Sequence, residues 1–308
     1  MYYPYLRGRQ NELIALRNFA ENLKDKPKVF PIIEPVKENK NSLKRAATTM
    51  TEKGIKYSVI LNPENGECAN KIINFNNDSD FPSSENWSPA FIIGRINLYQ
   101  LNSLIRENDY KNVMLILPKG MPTDEDQLVD LIKEESVTKV VTDPSRRKIV
   151  RETKRINKEL IELDDKFEAK KTNLDYVEID EELFTEEFAY YSADGFAGFS
   201  DYTVLPNDFR EGGTLPKVVV IHLTYKKSED QIFVRHFCSD SNREDKSNIQ
   251  GKFEEAAKKA IAFFDELGYD SISIQSLRDN IKEKRFPGLG TIKKISILHH
   301  IDLIQRTL

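Results

Sequence analysis

The chain has 308 residues, of which 39% are hydrophobic and 31% charged, and its 46 basic against 50 acidic residues leave a net charge of −4. So even a balance argues against a general electrostatic attraction to nucleic acid or to a membrane surface. No apolar run approaches the roughly 20 residues of a membrane span, and the N-terminus lacks the basic region and apolar core of a secretory signal, so a cytoplasmic protein is expected.

Residues Arg9 to Leu23 place Leu13, Leu16, Phe19, Ala20 and Leu23 at helical spacing, which predicts an N-terminal helix ahead of the first strand. Val29 to Ile33 reads as that strand, ending at Glu34-Pro35, where proline has no N–H for the ladder. Ser42 then opens a helix through Leu43, Ala46, Ala47 and Met50 that stops at Gly54. Tyr57 to Leu61 repeats the design, ending at Asn62-Pro63.

From Cys68 to Ser88 the rhythm breaks, and the turn-rich stretch from Asn74 to Ser84 predicts an irregular excursion in place of a helix. Further apolar runs follow at Phe91 to Gly94 before Arg95, Val113 to Leu117 before Lys119, and Val137 to Thr142 before Asp143. Arg146 to about Lys171 reads as one long charged helix, with Ile149, Ile156, Leu160, Leu163 and Phe167 as its stripe. Leu174 to Ile179 before Asp180, Gly195 to Tyr202, and Lys217 to His222 read as strands six, seven and eight, with a short helix over Glu182 to Tyr190.

Continuous apolar strands covered by helices on both faces are the mark of parallel sheets, and eight βα units predict a closed (β/α)8 TIM-type barrel. A hairpin over Tyr225 to Cys238 and a helical C-terminal extension, Gly251 to Leu308, are expected after it. The domain reading is one barrel domain over 1–308, with its core at 25–225 and the hairpin and helices at 226–308.

In such a barrel the residue after each strand faces a shared pocket. The strand ends offer Glu34, Asn62, Arg95, Lys119, Asp143, Asp180, Asp201 and His222. Glu34, Asp143, Asp201 and His222 are the candidates for acid–base work. Glu34, Asp143 and Asp201 could also ligate a divalent cation such as magnesium or manganese, a hard ion that prefers oxygen. Arg95 and Lys119 suit a small anionic ligand, with Arg7, Asn62 and Tyr202 beside them.

Each has a plainer reading as well. The carboxylates could cap turns or pair with the cations, and His222 could be a hydrogen-bonded structural residue on an apolar strand. Ser145, beside Arg146 and Arg147, is expected to cap the next helix, a weak anion site at best. The chain has no P-loop, dinucleotide fingerprint, nucleophile elbow or zinc-protease motif, and Gly212-Gly213 reads as a turn. Cys68 and Cys238 match no metal or redox spacing, and the dispersed lysine pairs do not support specific nucleic-acid binding.

Two segments carry a family resemblance. Tyr3-Pro4-Tyr5-Leu6-Arg7-Gly8-Arg9-Gln10, continuing to Pro31-Ile32-Ile33-Glu34-Pro35, resembles the start of an uncharacterised bacterial group similar to the phage-associated beta protein family. Gly198-Phe199-Ser200-Asp201-Tyr202 resembles that family's Gly-Asp-Tyr signature. The resemblance implies no established activity. It implies a phage-defence context and weights Arg7, Glu34 and Asp201. Two expectations follow: a pocket for a phosphorylated small molecule or nucleotide, or a non-catalytic subunit that binds the protein of a neighbouring gene in a toxin–antitoxin-like pair. Enzyme status stays open between them.

Overall fold

The computed structural model describes residues 1–76, 78–83, 85–209, 212 and 215–308; Asn77 and Ser84 of the irregular excursion and Gly213 of the expected turn lie outside them. The chain divides into two compact units, Met1–Asp164 with Tyr190–Asp201 and Leu308, and Asp165–Ala189 with Tyr202–Thr307.

The first unit is an eight-stranded parallel barrel. Its strands are β1 (Tyr5–Leu6), β2 (Ile32–Ile33), β3 (Tyr57–Ile60), β4 (Trp87–Ile92), β5 (Val113–Leu117), β6 (Val137–Thr142), β7 (Glu159–Leu163) and, after a strand β8 of the second unit (Glu181–Thr185), β9 (Gly198–Ser200). They neighbour each other in the order β1-β2-β3-β4-β5-β6-β7-β9. Tyr2 closes the circle through parallel bridges to both Val29 and Phe199, and the Tyr3 and Tyr5 N–H groups donate to the carbonyls of Phe199 and Asp201, each at 2.8 Å. Helices α1 (Gln10–Asn22), α2 (Asn41–Glu52), α3 (Leu98–Glu107), α4 (Glu125–Lys133) and α5 (Arg147–Ile156) lie between strands. Where the sequence predicts an irregular excursion after β3, only a short 3-10 turn, Gly66–Cys68, interrupts the loop among the described residues. The TIM-type barrel expected from the sequence is therefore present.

Four strand assignments are corrected. The first barrel strand is β1, so the helix over Arg9 to Leu23 is the first crossover helix and not an extension ahead of the barrel. A two-residue strand beside Pro4 carries no β-branched run to reveal it. The predicted long helix stops at Ile156, where Asn157 turns left-handed at φ 61°, and Glu159–Leu163 becomes β7. Leu160, Leu163 and Phe167 fit a helical stripe and a strand equally well, so periodicity misleads there. The expected sixth strand, Leu174 to Ile179, holds a 3-10 turn over Asn173–Tyr176. The expected eighth strand, Lys217 to His222, runs into an antiparallel strand of the second unit.

That second unit is a three-stranded antiparallel sheet, ordered β10-β11-β8, with β10 at Val220–Lys226 and β11 at Ile232–Cys238. The predicted hairpin is the β10–β11 pair. The predicted helix over Glu182 to Tyr190 is found only in its second half, as the short α6 (Glu187–Tyr190), while Glu182 to Thr185 belong to β8. Three helices complete the unit: α7 (Ile249–Glu266), α8 (Ile272–Lys282) and α9 (Leu289–Thr307). Val219, Ile221, Leu223 and Phe237 pack with Phe253, Ala256, Ala260, Phe264, Leu277 and Ile295 into its core. Lys252 is fully buried on α7, its ammonium donating to the carbonyls of Lys217, Asn242 and Asp245 at 2.7–2.8 Å.

Candidate functional site at the barrel mouth

Registered partners in a parallel sheet share a face, and every second residue returns to it. Tyr5 pairs with Ile32, Ile32 with Ser58, and Ser58 with Ser88, so these side chains share the inner face of the barrel. Continuing by twos to the C-terminal ends of the strands brings Arg7, Glu34 and Asn62 to the mouth. Asp143 arrives from Val141 and Ser200 from Gly198 by the same rule.

Glu34 is fully buried and heavily engaged. Its Oε1 accepts from the Glu64 N–H at 2.8 Å and from the Asn65 N–H and Nδ2 at 3.0 Å. Its Oε2 accepts from Asn65 Nδ2 at 3.1 Å and from the Tyr5 hydroxyl at 3.0 Å. This carboxylate fastens the loop after β3 to the ends of β1 and β2. Gly8 turns beside it at φ +57°, and a Cβ there would meet the Glu34 carbonyl oxygen at 2.9 Å, so the turn calls for glycine. Arg7 is only 6% exposed, and its guanidinium lies 5.4 Å from the centre of the Tyr5 ring. The backbone N–H of Arg7 donates to Glu12 Oε2 at 2.6 Å.

Asp143 is buried, and both of its hydrogen bonds from Ser145 (the N–H at 2.8 Å and a close hydroxyl) fall on Oδ1. Ser145 therefore serves Asp143 and does not cap α5, whose first turn has no side-chain cap. Arg146 instead donates to the carbonyls of Pro118 and Met121, joining the loop after β5 to that after β6. The Ser200 hydroxyl is buried and makes no hydrogen bond among the described residues. Tyr5, Ser200, Glu64 and Arg146 are the mouth residues that a list of strand-final charges misses. Tyr5 and Ser200 stand inside the segments that carry the family resemblance, but their polar groups gave no separate signal.

The other candidates are placed differently. Asn62 spends its amide on the β4 backbone, accepting from the Ile92 N–H and donating to the Ile92 carbonyl, both at 2.8 Å. It extends the ladder instead of facing a ligand. Arg95 is exposed and pairs with Glu64 at 3.3 Å. Burial pushes the Glu64 carboxyl up, Arg95 opposes this, and Glu34 adds to it. Lys119 is exposed after β5. Asp201 continues the outer face with Phe199, and its Oδ1 accepts from the Tyr2 hydroxyl at 2.6 Å. Burial and then Asp201 push that phenol well above its usual range, so it stays a donor.

Asp180 and Tyr202 belong to the second unit, and Tyr202 is buried. His222 is there too, not at a barrel strand end, because Lys217 to His222 leads into β10. Its Nδ1 lies 2.8 Å from Nδ1 of His236, whose Nε2 lies 3.0 Å from Glu182. Burial, His236 and Lys293 together push His222 down to about 3.

Among the described residues no group of three or more His, Cys, Asp or Glu side chains is placed to hold a metal ion. Glu34, Asp143 and Asp201 are not gathered into such a set. Glu34 already accepts from four donor groups, and Asp201 is turned to Tyr2, so the residues present do not fit the divalent cation considered from the sequence.

No family model matches this chain, and no curated protein matches it. Its fold is similar to that of ligand-free tryptophan synthase from M. tuberculosis, with 11% identity and a TM-score of 0.37 over 65% of this chain and 81% of that one. It is also similar to a chain of the tryptophan synthase α2β2 complex of Pyrococcus furiosus, with 12% identity and a TM-score of 0.36 over 65% and 86%. Both likenesses are distant, and the barrel assignment rests on the strand order and register of the chain itself. No helix among the described residues is long and apolar enough to cross a membrane.

Proposed function

We propose that the barrel binds a small anionic molecule, of the phosphorylated metabolite or nucleotide class, at the C-terminal ends of its strands. The observation that carries this reading is the charged inner face of the mouth: Arg7, Glu34 and Asp143 are each no more than 6% exposed, just past the C-terminal ends of three different strands. Charged side chains are rarely buried so deeply, because removing them from water costs several kcal/mol unless partners recover it. Glu34 repays that cost by holding the loop. Arg7 is the cation assigned to the anion, and the Ser200 hydroxyl is a further donor. Asp143 keeps Oδ2 clear of its Ser145 contacts and is the carboxylate assigned to acid–base work. The phage-defence setting is carried by sequence resemblance alone.

A thermal-shift panel of inorganic phosphate, sugar phosphates and nucleotides tests the reading. A ligand present at about a hundred times its dissociation constant adds about 2.7 kcal/mol of stability, enough to raise Tm by a few degrees. The expected result is a shift in the wild type that Arg7→Gln loses. No shift with any compound would refute the pocket and leave a protein partner as the alternative.

A further inference from the structure

The opposite end of the barrel holds a cavity of about 550 Å3, within the size range of small-molecule sites. Tyr3, Phe30, Ser58, Ser88, Lys139 and Glu159 line it, all in the N-terminal halves of strands or just before them. Strands on opposite sides of a barrel can line one cavity only from within, so this is the lower lumen. Such lumens are ordinarily filled by branched apolar side chains. Here two serines occupy the inner face, and Gly198 stands where a Cβ would lie 2.5 Å from the Tyr3 ring. That glycine is what lets Tyr3 stand as a wall, its ring centre 5.6 Å from that of Phe30.

Lys139 and Glu159 are register partners on β6 and β7, yet the Lys139 Nζ lies 3.7 Å from Glu159 Oε2. That is beyond hydrogen-bond distance, so the ammonium and the carboxylate both keep bonding capacity. Ser58 is 4% exposed and presents a hydroxyl to the same space, and Lys56 stands exposed among the lining residues. Burial and then Glu159 push the Tyr3 hydroxyl up, keeping it a donor. The cavity thus joins a cation, an anion, hydroxyl donors and an aromatic wall.

We propose that this lower cavity binds a small zwitterion, an α-amino carboxylate with an apolar side chain. Its carboxylate meets Lys139 and the serine hydroxyls, its ammonium meets Glu159, and its side chain lies against Tyr3 and Phe30. Charge-assisted hydrogen bonds at both ends supply the selectivity.

Isothermal titration of the full chain with phenylalanine, leucine, N-acetyl-phenylalanine and phenylalanine amide tests this. The free amino acids are expected to bind, and each blocked form to bind at least about tenfold more weakly, the effect of one lost charge-assisted contact. In Glu159→Gln the penalty for N-acetylation should vanish. In Lys139→Gln the penalty for amidation should vanish. Ser88→Leu, which fills the cavity without touching a charge, should abolish binding while far-UV circular dichroism stays unchanged. No binding by any of the four compounds, equal binding of free and blocked forms, or binding unchanged in Ser88→Leu would overturn the proposal.

Discussion

At the scale of single residues, the mouth separates carboxylates that hold structure from those available to a ligand. Glu34 was legible as a strand-final carboxylate, but its task was not. Its partners Glu64 and Asn65 lie some thirty positions away in sequence, and a barrel alone brings them together. Glu34→Ala leaves the Tyr5 hydroxyl and two backbone N–H groups without their acceptor. Chemical denaturation should show a loss of about 3 kcal/mol, in the range of broken buried networks. Asp201 stood out in the sequence as a carboxylate on a glycine-rich strand, yet the alternation of the strand turns it outward to Tyr2. Position along a strand is readable from sequence, whereas inside or outside depends on a register that only the pairing sets.

At the scale of elements, five of the six strands near Val29, Tyr57, Phe91, Val113, Val137 and Gly198 announced themselves by apolar runs between turn residues. The sixth, β9, was found through its glycines. β1 and β7 escaped for different reasons, one by being two residues long and the other by fitting a helical stripe. The second unit shows a complementary dependence on a single polar residue. Lys252 was invisible as anything but a surface lysine of an amphipathic helix, yet it ties α7 to three carbonyls. Lys252→Met retains the aliphatic stem and removes the donors, leaving those carbonyls unsatisfied. Urea unfolding should reveal a loss of about 2–4 kcal/mol, and an unchanged midpoint would show that water replaces the ammonium at no cost.

At the scale of the whole molecule, the fold class was legible because its repeating unit is, while the division into two compact units was not. The sheet of the second unit is assembled from β8, which lies in sequence between two barrel strands, and from the later hairpin. The histidines of that unit give the molecule a distinct pH response. Burial lowers His222 to about 3 and His299 to about 4, and it lowers His236 as well. A histidine lowered in the folded state stabilises fully above its unfolded value near 6.5, and that stability is lost as pH falls toward the folded value. For His222 and His299 the loss is about 2 kcal/mol each by pH 5. Glu181 and Glu182 are lowered too, so their contribution is also lost on acidification, at lower pH. Denaturant midpoints from pH 7.5 to 4.5 should therefore fall steadily, and His222→Phe with His236→Phe should flatten the curve.

The binding of a small anion at the mouth is tested most directly by mapping where a ligand touches the barrel. Backbone amide spectra of the 15N-labelled chain, recorded with and without the phosphorylated compound that gives the largest thermal shift, supply that map. The account predicts perturbations concentrated at Arg7, Gly8, Asp143, Ser145 and Ser200. Perturbations confined to the strand N-terminal ends or to the second unit would contradict it.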